Sequence, residues 1–218
     1  MIFGNFIRNN ILQLNKNHKI ETFSFDGSNI YFIENFYKNP RKLKNWILKH
    51  ESEYHKKNED GYNGIHFEDK RHLIYHQEMI KVSEYISNIC NKTTQKNGGE
   101  NQVVTNFFKF NNSDFNDYKN NYWYPHKDSG YTAIIYFDDT NTNLYECLDF
   151  EEKNNFNLIP EHKCPWRSKQ KWEKIATLHG KFNKLILFDG SKFFHGADIS
   201  TDEYAKKYRM NQVIFFEH

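Results

Sequence analysis

The C-terminal half of the chain is a succession of short apolar runs separated by polar turns: "QVVTNFFKF", "YTAIIYFDD", "TNLYECLDF", "KLILFDG" and "RMNQVIFFEH". Each is too short for a core helix, and the alternation within them puts every second side chain on one face. Turn residues punctuate them, so neighbouring runs can fold back on each other as antiparallel strands. A chain so patterned has to bury these faces in a sheet packed against a second layer. The aromatic content of 17%, with 20 Phe and 14 Tyr, supplies the bulky, β-favouring side chains that such a layer needs.

The N-terminal part reads differently. "IETFSFDGSNIYFIENFY" holds two alternating runs around a DGSN turn, the pattern of a hairpin. In "NPRKLKNWILKHESEY", Leu43, Trp46, Ile47 and His50 fall at helical spacing, and Pro40 suits a first helical turn. A second helix is expected in "LIYHQEMIKVSEYISNICNKT", where Ile80, Tyr85, Ile86 and Ile89 recur, with "KNGGE" breaking it. "GYNGIHFEDKRH", "NNSDFNDYKNN" and residues 151–174 read as loops, the last as a long loop or short helix of the kind that forms a lid. Together these give a single α+β, mainly β domain over 1–218. Residues 1–100 form a strand and helix support packed on one sheet, and 101–218 form the β core.

Lys+Arg is 30 against 28 Asp+Glu, a net charge of only +2, which argues against duplex DNA or an anionic membrane as partner. Cys90, Cys147 and Cys164 are odd in number and widely spaced, so neither a disulfide framework nor a cysteine zinc site is expected. No apolar run approaches a membrane span, and the N-terminus lacks the pattern of a signal peptide, so the expectation is a cytoplasmic protein. The Asn- and Lys-rich composition suits an AT-rich bacterial or viral genome; for a viral chain the compartment is the host cytoplasm. The sequence leaves the oligomeric state open.

"WYPHKDSGYTAIIYF" places His126 and Asp128 two apart before a strand. His195 lies 69 residues beyond His126, past the strand "KLILFDG", and Arg209 lies 14 further, opening the last strand. Among 11 histidines, one His-x-Asp carries little weight; the ordered set carries more. Two neutral imidazoles and one carboxylate occupy one face of an octahedral metal and leave three positions open, the donor set of non-haem Fe(II) oxygenases. A bidentate 2-oxoacid suits the remaining charge, and Arg is the best match for its far carboxylate. Thr132, Ile134 and Tyr136 share one strand face, and so do Arg209 and Asn211. His179 reads as an ordinary strand residue, and His66, His72 and His76 are not expected to form a second metal cluster.

On "PHKDSGYTAIIYFDD", "GKFNKLILFDGSKFFHG" and "YRMNQVIFFEH", the chain resembles the prolyl-hydroxylase-like branch of the Fe(II)/2-oxoglutarate-dependent oxygenases over roughly residues 100–218. "IYFIENFYKNPRKLKNWI" resembles the lead-in of such domains. The resemblance implies a double-stranded β-helix, or jelly-roll, core. It implies His126, Asp128 and His195 as catalytic iron ligands, and Fe(II), 2-oxoglutarate and O2 as cofactor and cosubstrates. Arg209 matches the basic residue for the cosubstrate's far carboxylate, and Tyr136 a tyrosine that reaches the same group. Asn211 stands where the family has Ser or Thr, and "VVTNFFKF" has Phe where relatives often have Tyr. Thr132, Tyr124 and Asn106 are further candidates for polar contacts to the cosubstrate.

Related halogenases lack the carboxylate, so Asp128 implies hydroxylation, and the branch implies an amino-acid, peptidyl or small-molecule substrate. Residues 62–76 and 151–174 are the candidate pocket walls, where Trp166, Arg167 and Trp172 either meet substrate or pack. Two other readings share the residues: a jelly-roll metal- or ligand-binding protein without turnover, and a zinc hydrolase, which leaves Arg209 without a purpose.

Overall fold

A computed structural model of the chain describes residues 11–49, 55–56, 68–73, 77–94, 105–111, 117–155, 166–207 and 209–217. The hairpin expected around DGSN is present as β1 (Ile20–Phe25) and β2 (Ser28–Ile33). Asp26 and Gly27 at its tip both have positive φ, 46° and 69°, the backbone of the tight turn whose twist matches that of the strands it joins. Helix α1 (Pro40–Lys49) begins at Pro40 and buries Leu43, Trp46 and Ile47. Helix α2 (Gln77–Cys90) buries Met79, Val82, Ile86 and Cys90, one stripe at helical spacing.

The other strands are β3 (His55–Lys56), β4 (Glu68–Leu73), β5 (Thr105–Asn111), β6 (Asn121–Trp123), β7 (Tyr131–Tyr136) and β8 (Asn141–Cys147). After α3 (Phe150–Asn155) come β9 (Trp166–Ser168), β10 (Trp172–His179), β11 (Leu185–Asp189) and β12 (Phe194–Ala197). Then α4 (Glu203–Lys206) precedes β13 (Arg209–Phe216). They form a large sheet in the order β1-β2-β11-β7-β13-β5-β4-β3, a three-stranded sheet β10-β8-β12 and a pair β6-β9. The pairings within these sheets are antiparallel.

One face of the large sheet, with Ala133, Ile135, Leu185, Leu187 and Ile214, packs on α1 and α2. The other, with Ile134, Tyr136, Ile186, Phe188 and Val213, packs on Leu144 of β8 and Leu178 of β10. The middle of the large sheet is therefore covered on both faces. That is why "TAIIY" is buried throughout and reads as a continuous apolar run. The expectation of a mainly β chain with antiparallel sheets and few helices holds. Among the described residues, no helix is long and apolar enough to cross a membrane.

The short helix allowed for within residues 151–174 is present as α3, and the loop expectations otherwise need correction. Residues 151–174 hold most of α3, all of β9 and the start of β10, while 156–165 lie outside the described residues. The three-residue β9 is too short for periodicity to show. Strand β4, Glu68–Leu73, takes in the last five residues of the "GYNGIHFEDKRH" stretch and the first residue of the next. Its charged sequence hides it, but charged residues are common on strands near a sheet edge. Of the "NNSDFNDYKNN" insertion, 112–116 lie outside the described residues, as do His50, His66, His76 and Cys164.

Asn183 joins the N-terminal support to the β core. Its side chain accepts from the Tyr37 N–H and donates to the Tyr37 carbonyl, both at 2.8 Å. Its backbone N–H donates to Tyr136 O at 2.7 Å, and its carbonyl accepts from Phe36 N at 2.9 Å. It is buried with φ of 64°, a backbone that Asn tolerates better than most residues. Asn183→Ala strands two buried backbone groups of Tyr37 and is expected to lower the unfolding free energy by about 2–4 kcal/mol in urea titration. A loss under about 0.5 kcal/mol would remove Asn183 from this role.

Candidate metal centre

Beyond β6 the chain turns at Tyr124, whose φ is 52°, and then lies alongside β12. There His126 and His195 exchange both backbone hydrogen bonds, His126 N to His195 O at 3.0 Å and His195 N to His126 O at 2.8 Å. Residues paired this way in antiparallel strands project their side chains to the same side. The rings accordingly lie 4.5 Å apart between centroids. Asp128, two residues on, is placed by its own N–H donating to Gly190 O at 2.9 Å, just past the end of β11. Its Oδ2 lies 3.1 Å from His195 Nε2, and its Oδ1 lies 3.9 Å from His126 Nε2. One ligand atom from each of the three residues falls within 4.8 Å of the others.

The opposite edge of each ring explains the orientation. His126 Nδ1 lies 2.8 Å from Tyr124 O, and His195 Nδ1 lies 3.0 Å from Phe193 O. A carbonyl only accepts, so each Nδ1 carries the proton. In the neutral imidazole, Nε2 is then the lone-pair nitrogen, and it is Nε2 of both rings that meets the carboxylate. Two lone pairs and an anion converging in this way call for a cation between them. The residues present therefore fit a divalent metal, and His126, Asp128 and His195 are a possible metal-binding triad. Burial opposes the charge of Asp128, but a protonated His195, then a protonated His126 and the Thr132 hydroxyl, outweigh it and hold the carboxyl well below the usual carboxylate range; a metal ion would take the place of those two protons. Phe188 backs His195 edge-on at 4.9 Å.

Two glycines make this closeness feasible. A Cβ on Gly196 would strike the carbonyl oxygen of Trp123 and come within 2.9 Å of that of Tyr124. A Cβ on Gly190 would strike Thr132 Oγ1 and come within 3.0 Å of Asp128 Cβ. Both glycines stand in quoted motifs, "FDG" and "FHG", yet only the packing reveals what they admit.

A second polar group lies on the same inner face. Arg209 opens β13, is buried, and donates from Nε to Thr140 Oγ1 at 3.0 Å and from Nη2 to Asn141 O at 3.3 Å. Its guanidinium sits 5.9 Å from the Tyr136 ring centroid. Burial pushes the Arg209 pKa down and the Tyr136 pKa up. The Tyr136 hydroxyl and Thr142 Oγ1 are 2.6 Å apart. Asn211 pairs with Tyr136 in register, and its buried Oδ1 has no hydrogen-bond partner among the described residues. Sequence reading missed Thr140 and Thr142, because they reach this group from the turn after β7 and from β8 of the facing sheet.

The other expected residues fall elsewhere. Thr132 donates to Asp128 Oδ2 and so belongs to the triad rather than to the Arg209 group. The Tyr124 ring lies 4.6 Å from that of His126. Asn106 is opposite Val213 in the β5–β13 register, and its side chain lies outside the described residues. Trp172 is fully buried, edge-on to Phe194 at 4.9 Å, and donates to Glu152 at 2.8 Å, so it packs. Trp166 is edge-on to Trp123 at 4.8 Å, and Arg167 Nε lies 3.8 Å from Glu152. His179 is an exposed residue ending β10.

Gly196→Ala pushes β12 away from residues 123–124 and is expected to weaken Mn(II) binding at least about tenfold, with a stability loss of about 1–3 kcal/mol. Titration of free Mn(II) by electron paramagnetic resonance, alongside thermal unfolding, checks both; unchanged affinity would contradict the close-approach argument. No protein-family model matches the chain, and no curated protein matches it in sequence.

Proposed function

We propose that the protein is an Fe(II)- and 2-oxoglutarate-dependent dioxygenase. It hydroxylates a C–H bond of an amino-acid, peptidyl or small-molecule substrate and releases succinate and CO2. The observation that carries this reading is the pairing of two polar groups on one face of β7. The lone-pair nitrogens of His126 and His195 converge on Asp128 near one end, and the buried Arg209 lies beside Tyr136 at the other.

The strand order supports a jelly-roll core for this site. From β5 to β13 the chain passes between the large sheet and the smaller ones: β5 large, β6 in the pair with β9, β7 large, β8 in the three-stranded sheet, β9 in the pair, β10 in the three-stranded sheet, β11 large, β12 in the three-stranded sheet and β13 large. This alternation supports reading the core as a double-stranded β-helix, which would enclose both polar groups.

When bound, iron supplies the O2 chemistry, with 2-oxoglutarate as the electron donor. The chain's own residues hold and orient these groups. His126, Asp128 and His195 would hold the metal, and three protein donors would leave it able to take a 2-oxoacid and O2 as well. Arg209 offers a bidentate, permanently charged match for the far carboxylate, and its two bonds to Thr140 and Asn141 fix the plane of the guanidinium. Thr132 and Tyr136 are four residues apart, about 13 Å along the strand. In the proposed function a five-carbon dicarboxylate would span the distance between the inward-reaching side chains at the two ends. Asn211 Oδ1 needs a donor, and the Asn211 amide turned over presents its NH2 to an acceptor instead. Ile134, Phe188 and Val213 line the same face and keep bulk water away.

The test is consumption of 2-oxoglutarate and release of succinate, with Fe(II) and with the metal chelated. Turnover should require Fe(II) and vanish in His195→Ala. Arg209→Met should raise the KM for 2-oxoglutarate about 10- to 100-fold, the value of a charge-assisted carboxylate bond. Absence of Fe(II)-dependent succinate from the folded protein would count against the proposal.

A further inference from the structure

We infer that Thr132 is a positioning residue of the metal centre, one that fixes the Asp128 carboxylate rather than touching cosubstrate; this rests on the metal-binding reading above. Thr132 sits in the middle of the large sheet, paired with Phe188 of β11 on one side and Phe215 of β13 on the other. Its neighbours on that face include Ile134 and Phe188, so a valine would fill the same space without burying a hydroxyl. A buried hydroxyl is costly unless it is hydrogen-bonded. The bond it makes is to Asp128 Oδ2.

The surroundings allow this contact little freedom. The Asp128 N–H is tied to Gly190 O at 2.9 Å, and Ser191 N donates to Gly130 O at 3.0 Å, so the two segments bracket the carboxylate. A Cβ on Gly190 would strike the Thr132 hydroxyl oxygen and lie 3.0 Å from both Asp128 Cβ and Gly130 O. The side chain of Asp128 is thus held at its backbone end by Gly190 and at its carboxylate end by Thr132. Without the hydroxyl, the carboxylate is free to turn about its own bonds. It then no longer presents a fixed edge to His195 Nε2, which it now meets at 3.1 Å. A strand residue four positions along thereby sets the direction of a ligand in the turn before it.

The experiment measures Mn(II) affinity of the whole chain by electron paramagnetic resonance, without cosubstrate, for the native protein, Thr132→Val, Thr132→Ala and Thr132→Ser. Loss of an outer hydrogen bond to a metal ligand predicts about 10- to 100-fold weaker binding for Val and Ala, with Ser restoring affinity to within about threefold. Val keeps the volume of Thr132 and Ala leaves a gap, so a shared loss of affinity with restoration by Ser tracks the hydroxyl. Retained circular dichroism in Ala or Val shows that the measured species is folded. If the native protein binds Mn(II) and the folded Val or Ala variant binds it equally well, this inference is overturned and the metal centre stands. If Ser is as weak as Ala, the hydroxyl has no special role and the inference also fails. If the native protein binds no divalent metal, the metal-centre reading itself falls.

Discussion

Two backbone hydrogen bonds hold the site together, those that His126 and His195 exchange. They join residues 69 positions apart, and they dictate that both imidazoles leave the strands on the same side. Asp128 follows by the strand period of two, returned to that side and pinned by Gly190. The side-chain geometry is thus a consequence of strand register. The register in turn depends on glycines that let three segments of backbone come within contact distance of each other.

The rest of the fold makes this register rigid. The large sheet is gripped between the helices and the smaller sheet, so β7, β11 and β13 have little freedom to slip. A one-residue slip of β7 would turn Thr132 and Tyr136 toward the helices and Ala133 and Ile135 toward the site. Asn183 adds a polar fastening between the lead-in at Phe36–Tyr37 and the turn before β11. Burial matters in a second way for Arg209. A guanidinium taken out of water is expensive unless something charged or well aligned meets it. Thr140 and Asn141 already meet part of Arg209, and in the proposed function the carboxylate of 2-oxoglutarate adds a charged partner.

Much of the site was legible in the sequence, because strand periodicity is local. His126 and Asp128 two apart, His195 after an apolar run, and Arg209 opening another could be ordered on a line. Tyr136 and Thr132 could be placed on one face by counting in twos. What counting could not supply was the partner across the sheet. Thr132 looked like a cosubstrate contact and instead meets Asp128, because the turn carrying Asp128 folds back over β7. Thr140, in the turn before β8, meets Arg209, and Thr142 of β8 meets Tyr136, and nothing local marks them. β4 and β9 went unread because one is charged and the other three residues long. Trp172 was left between substrate and packing, and its burial against Phe194 decides for packing.

The most direct test of the central proposal is an anaerobic titration of the Fe(II)-loaded protein with 2-oxoglutarate, followed by visible absorption. Chelation of Fe(II) by a 2-oxoacid gives a charge-transfer band that neither component shows alone. A saturable band in the native protein is predicted. It should be absent in His195→Ala and shifted to higher 2-oxoglutarate concentration in Arg209→Met. Bound Fe(II) with no 2-oxoglutarate-dependent band would contradict the account, because the triad would then hold a metal for some other purpose.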